Sequence, residues 1–263
     1  MMEYTAPANY TIEKKPISLE RLIYFGTLTL SDLSVFYLLS VFITGISWLP
    51  LVGITADSSE LTLSLLQCLL GVAALHLPAL LTKLTRIQMP DTLCAIFYLF
   101  ILCGTVLGEM FSLYYTIPFW DDLLHFCSGV MAGMLGGILI VNLSQKKNCK
   151  NIITPMLVAV VALCFALCIS VFWEIYEFAG DSLLGLNMQK CLLQDGSGLI
   201  GQAALVDTMK DLIVDSVGAL TAAVSAYLSI KQKRGWLYTY MLGEPIKVSH
   251  ELPFERQILQ HTA

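Results

Sequence analysis

The chain has 263 residues, 56% of them hydrophobic and only 13% charged, and its mean hydropathy is +0.72. These values fall outside the range of a water-soluble domain, so the chain reads as a membrane protein. The net charge of -5 says little about partners, because the side of the membrane on which each charge lies matters more than the sum, and no nucleic-acid partner is expected.

The opening "MMEYTAPANYTIEKKPISLE" is polar and lacks the apolar core of a signal peptide, so the first hydrophobic span is expected to direct insertion, with nothing cleaved. Asn9 lies in an "NYT" glycosylation sequon, but on a segment expected to be cytoplasmic, where it goes unused. Six apolar runs follow, near 31–52, 61–81, 92–113, 122–143, 152–175 and 208–230. Each suffices to cross a hydrocarbon core of about 30 Å, which takes roughly 20 helical residues. None alternates as a barrel strand would. The expected fold is therefore all-α: a polytopic helical bundle with six transmembrane helices. Residues 1–30 form a cytoplasmic N-terminal segment, 31–230 the membrane domain and 231–263 a cytoplasmic tail. Of the connections, only Gly180 to Val206 is long enough to fold into anything.

The basic residues set the orientation. Lys14, Lys15 and Arg21 precede the first span, and Lys83 and Arg86 follow the second. Lys146, Lys147 and Lys150 follow the fourth, and Lys231, Lys233, Arg234, Lys247 and Arg256 follow the sixth, together thirteen of the fifteen Lys and Arg. By the positive-inside rule both termini are cytoplasmic. Trp48, Tyr114, Tyr115, Trp120 and Trp173 then fall near the outer boundary, where aromatic rings favour the headgroup layer. The basic tail "KQKRGW" reads as an anchor on anionic lipid. Of eight cysteines, Cys68, Cys94, Cys103, Cys127, Cys164 and Cys168 lie within spans, Cys149 is cytoplasmic and Cys191 alone is outside, so no disulfide framework is expected.

The acids collect at the opposite face. Asp121, Asp122 and His125 begin the fourth span; Glu174, Glu177 and Asp181 end the fifth; Asp207, Asp211 and Asp215 start the sixth; Glu109 closes the third. Steps of three and four place each set on one helix face. Acids turned to lipid would cost several kcal/mol each, so the stripes should face one another or a wet cavity. So many carboxylates cannot all stay ionised side by side; either protons are shared or a cation is bound. His125 and Lys210 are the nearby cationic groups, and they cannot balance the set. Carboxylates with one imidazole suit Mg²⁺, Mn²⁺ or Ca²⁺, with Zn²⁺ open as well. The competing reading is that Asp121 and Asp207 are helix caps or dipole charges and the acids solvated interfacial groups.

Other motifs carry less. Gly129, Gly133 and Gly137 form a small-residue stripe for close helix packing. "QDGSGLIG" lacks the Lys and Ser/Thr of a phosphate-binding loop and reads as a turn. His76 reads as a packed or capping residue, and His261 has no acidic neighbour in sequence. Asp207, Asp211 and Asp215 share the D-x-x-x-D ending of CDP-alcohol phosphotransferases, but the rest of that motif is missing.

"FWDDLLHFCSG", "FWEIYEFAGD" and "LVDTMKDLIVDSVGAL", in this order on the last three spans, resemble the YjdF-like family of bacterial multi-pass membrane proteins. The resemblance covers about residues 90–230. More distantly, the acid-rich start of a span followed by His is similar to VanZ-like proteins. The resemblance implies a helical membrane fold in the bacterial cytoplasmic membrane and no particular reaction.

The sequence thus points to an outward-facing polar site on spans four to six, about residues 120–230, binding a divalent cation (Mg, Mn or Zn) and acting on or binding a lipid-linked or envelope substrate in the lipid bilayer. Asp121, His125, Glu174 and Asp211 are the expected metal ligands, and Glu177 or Asp215 the general base. Asp122, Asp181 and Asp207 support them from behind. A cation or proton-coupled transporter is the alternative, followed by a structural membrane protein without catalysis. The transporter reading expects acids across the whole membrane, whereas the inner halves of spans four to six carry none and Asp32 and Asp91 are the only deep-side acids. Oligomeric state is not legible.

Overall fold

The computed structural model describes residues 18–47, 49, 58–87, 89–146, 154–193 and 197–233. Asn9, Trp48, Cys149, His261, the terminal basic residues including "KQKRGW" beyond Lys233, and residues 194–196 of the "QDGSGLIG" turn lie outside them. Among the described residues all regular structure is helical apart from one bridge between Leu192 and Gly198. Among the described residues six stretches are long and apolar enough to cross a membrane: Leu19–Thr44, Leu61–Thr85, Asp91–Met110, Trp120–Leu143, Pro155–Leu184 and Gln202–Gln232.

Helix α1 runs over Leu19–Thr44 and so begins twelve residues before the expected position 31. The Ser18 hydroxyl accepts the Arg21 amide at 3.3 Å, and this N-cap starts the helix within the polar segment. Gly45, at φ 68°, ends it. Asp32 consequently lies exposed near the middle of α1, not at its start. The second span is broken into α2 (Ser58–Leu75) and α3 (Leu77–Thr85). Pro78 at the second position of α3 has no N–H to continue the ladder, which explains the break. His76 sits at this joint, exposed rather than packed, with Nδ1 3.2 Å from the Tyr24 hydroxyl.

The third span is composite. Helix α4 (Asp91–Ile101) passes directly into a π-helical segment, Leu102–Met110. Within it the Cys103 carbonyl accepts the Trp120 indole N–H at 3.3 Å. After the short α5 (Leu113–Thr116) come the three long helices α6 (Trp120–Lys146), α7 (Pro155–Leu184) and α8 (Gln202–Gln232). Thr154 caps α7, Pro155 opens it, and Gly185 at φ 66° stops it. The fifth span therefore continues nine residues past the expected 175, and the sixth starts six residues before 208.

These helices form two groups. In the first, Tyr37, Leu38 and Val41 of α1 pack with Leu61 and Cys68 of α2 and Val106 and Met110 of the π segment. In the second, α6, α7 and α8 pack on one another through small residues. Gly129 backs onto the Asp215 carbonyl, and Gly218 onto the Phe126 carbonyl. Gly133 faces Ala222, and Gly136, one residue off the expected stripe, faces Phe165. With Ala162, Ala166, Ala219 and Ala223 also buried, the three backbones run close together.

Candidate functional site

The close approach of α6 and α8 brings their acid stripes within reach of one imidazole. His125 is 7% exposed and stands between three carboxylates. Its Nδ1 lies 3.1 Å from Asp215 Oδ2. Asp215 is 2% exposed and also accepts the Ser128 hydroxyl at 2.6 Å and the Ser170 hydroxyl. An ionised carboxylate has only lone pairs to offer, so opposite it Nδ1 carries a proton, and Nε2 points away from Asp215.

What Nε2 faces is acidic. Asp121 Oδ1 and Asp211 Oδ2 each lie 3.8 Å from it, beyond hydrogen-bond reach. One ligand atom from each of Asp121, His125 and Asp211 falls within 4.8 Å of the others. Ligands about 2.1 Å from one Zn²⁺ or Mg²⁺ stand roughly 3.0–3.5 Å apart, so on an ion the two His125 pairs would each close by about 0.3–0.8 Å and the Asp121–Asp211 pair from within 4.8 Å.

Helix α7 supplies the next layer. Because α7 continues to Leu184, Glu174 and Glu177 lie inside the helix, not at its end. Glu174 is 6% exposed, and neither of its carboxylate oxygens has a hydrogen-bond partner among the described residues. The Thr208 hydroxyl lies beside it and keeps its proton while accepting from Gln189 Nε2 at 2.8 Å, but no bond of proper geometry joins it to Glu174. Glu177 accepts the Trp173 indole N–H at 2.9 Å through Oε1.

A lysine from the loop enters the same centre. Lys190 Nζ donates to Asp121 and, at 3.1 Å, to Asp207 Oδ1; Asp207 Oδ2 is buried without a hydrogen-bond partner among the described residues. Burial works against the Lys190 ammonium, but the charges of Asp121 and Asp207 outweigh it and raise its pKa. The cation expected from the sequence, Lys210, instead pairs with Asp122 at 2.6 Å and is half exposed. Asp122 is thus tied up away from the imidazole. Asp181 accepts the Met188 and Gln189 amides at 2.7 and 3.0 Å and fastens the loop rather than touching the centre.

The expected residues therefore sort by position. Asp121, His125, Asp211 and Asp215 meet directly; Glu174, Glu177 and Asp207 adjoin them; Asp122 and Asp181 do not. Ser128, Ser170 and Lys190 complete the network without having been expected. Helical register held a signal for two of them: Ser128 is three residues after His125, and Ser170 four before Glu174, on the same faces.

Next to the centre is a cavity of about 210 Å³ between the two helix groups. Gln67 of α2, Gly104 and Glu109 of the π segment, Tyr114, and Trp173 and Glu177 of α7 contribute to its wall, together with Asp121, His125 and Asp215. Burial, then the charges of Glu109, Asp121 and Glu177, hold the Tyr114 phenol well above its ordinary pKa.

Fold and site define a multi-pass helical membrane protein with a buried Asp–His–Asp centre at one end of its last three helices. The chain belongs to the DUF2238 family of predicted membrane proteins, whose family model matches residues 35–232. It is 29% identical over 152 residues to a Thermotoga maritima protein described as uncharacterized, covering 57% of this chain and 69% of that one. No solved structure matches the chain.

Proposed function

We propose that the centre binds a divalent cation and that the protein binds or acts on a lipid-linked or envelope substrate at the outer face of a bacterial cytoplasmic membrane. The observation that carries this reading is the His125 side chain. Its Nδ1 is fixed by a buried carboxylate that also accepts two serine hydroxyls, and its Nε2 faces two more carboxylates at 3.8 Å, too long for hydrogen bonds and somewhat longer than the ligand spacing of a coordination shell.

In this reading Asp121, His125 and Asp211 are the cation ligands, and Glu174, outside that group but buried and without a hydrogen bond among the described residues, moves in as a fourth. Glu177 is the proton acceptor. Asp215 positions His125; with three bonds accepted it is a poor general base, which revises the role expected from its sequence position. Asp207 holds Lys190 beside the centre. The outward orientation is supported by charge: the acids lie at the start of α6 and α8, whereas Lys146, Lys231 and Lys233 lie at their far ends. The YjdF-like kinship read from the motifs agrees with the family assignment; the VanZ likeness rests on the Asp–His start of α6 alone.

A transporter using the same acids as a relay finds less support. Beyond Asp215, α8 has no further acid, and neither α6 beyond His125 nor α7 before Glu174 has any. The test is metal uptake by the purified protein: Glu174→Gln should weaken it, and unchanged uptake would remove Glu174 from the ligand set. Flux measurements in proteoliposomes separate a one-sided site, which gives occupancy without transport, from a relay.

A further inference from the structure

We propose that the cavity beside the centre is a chamber for a bilayer amphiphile with an ammonium-bearing head, entering sideways from the lipid between α4 with its π segment and α7. This rests on reading this end of the bundle as a functional site, but it does not require a bound metal.

Access is the first argument. The end of the chamber nearest the loop is covered: Leu186 and Met188 are buried against Leu63, Leu66 and Tyr176, Asp181 grips the Met188 and Gln189 amides, and Lys190 is bound to Asp121 and Asp207. The flank is different. Helix α7 packs mainly on α6 and α8, and its chamber residues Ile169 and Trp173 are 45% and 42% exposed, within a span whose surroundings are lipid. Phe100 and Gly104, from the third span, line the same chamber.

The lining is graded like an amphiphile. Phe100, Ile101 and Ile169 form an apolar part, while His125, Glu177 and Lys190 are at the polar end. Lys190 engages Asp121 there and His125 engages Asp215, so the carboxylate left to meet a cationic head is Glu177. Glu177 commits Oε1 to Trp173, and Oε2 has no bond among the described residues. The indole beside this carboxylate offers an aromatic face to an ammonium, and Lys190 can receive the phosphate of a zwitterionic headgroup.

Gly104 makes the chamber testable. A Cβ placed there meets only the Tyr114 hydroxyl, at 3.6 Å, so a larger side chain fills the chamber without striking backbone. The full chain would be reconstituted in EDTA-treated vesicles containing phosphatidylethanolamine with a diazirine in its acyl chain, or phosphatidylglycerol with the same chain, and crosslinked peptides mapped by mass spectrometry. The expected result is crosslinking around Phe100–Gly104 and Ile169–Trp173, at least threefold stronger for phosphatidylethanolamine. Gly104→Leu and, from the opposite flank, Ile169→Trp should each lower it at least fivefold, leaving crosslinks at the outward Leu220 of α8 unchanged. Absence of chamber crosslinks, equal labelling by the two heads, or labelling undiminished in both variants would overturn the proposal. Metal content measured before chelation keeps the two readings apart: metal without crosslinks leaves the cation centre standing, and crosslinks without metal leave the chamber.

Discussion

Replacing Asp215 by Asn tests the logic of the centre at a residue that is not itself a ligand. The carboxylate is 2% exposed and accepts from His125 Nδ1 at 3.1 Å, from Ser128 at 2.6 Å and from Ser170. An amide keeps the shape but offers one oxygen and an NH₂: a serine facing the NH₂ can turn its hydroxyl to accept, as Ser128 can with its proton on the His125 carbonyl 2.8 Å away, but Nδ1–H facing it would have no acceptor. A buried donor left unsatisfied costs about 1–3 kcal/mol. If the imidazole loses its fixed tautomer, removal of such an outer partner lowers metal affinity roughly 10–100-fold, or about 1.4–2.7 kcal/mol. Isothermal titration of the detergent-purified variant with Mn²⁺ and Zn²⁺ gives the ratio of Kd values, and circular dichroism checks that the helices are retained. Ser170→Ala, which leaves two of the three bonds, should lose less than about tenfold. An unchanged Kd in a folded Asp215→Asn protein would refute the positioning role. Complete loss, as expected for Asp211→Asn, would make Asp215 a ligand instead.

Three further outcomes follow from the same geometry. Lys190→Met frees Asp121 and Asp207 of a competing ammonium, so metal should bind more tightly while the metal-free protein melts lower; weaker metal binding would mean that Lys190 supports the site rather than competing for it. Gly129→Ala and Gly218→Ala push a methyl group into the facing backbone carbonyl of α8 or α6 and should destabilise by about 1–3 kcal/mol, read as a lower melting temperature, whereas Gly104→Ala, whose methyl would make only an ordinary contact with the Tyr114 hydroxyl at 3.6 Å, should melt as the parent does. Trp120→Phe removes the bond to the Cys103 carbonyl at the π segment and should cost about 1 kcal/mol in the same melt; no change would mean that water replaces the indole.

The bundle was legible because spanning a bilayer demands long apolar helices, and the acid stripes were legible because steps of three and four put residues on one face. Helix ends were less so. Nothing in apolar composition marks Ser18 as the start of α1, and α7 crosses the polar stretch "EIYEFAGD" because its helix stops only at Gly185. That difference turned Glu174 and Glu177 from end residues into buried ones. Asp122 and Asp181 misled because acid spacing gives the helix face but not the partner: one meets Lys210, the other two loop amides. Lys190 is 69 residues from Asp121, and only the folded loop brings them together. The π segment has no signature in residue type that the apolar pattern could disclose.

The most direct measurement is the metal content of the detergent-purified protein by elemental mass spectrometry, beside His125→Ala and Asp211→Asn. The account predicts one divalent ion per chain in the parent after exposure to Mg²⁺, Mn²⁺ or Zn²⁺ and its loss in both variants. No metal in any sample, or equal metal in all three, would contradict it and leave Lys190 and shared protons as the balance for the acids.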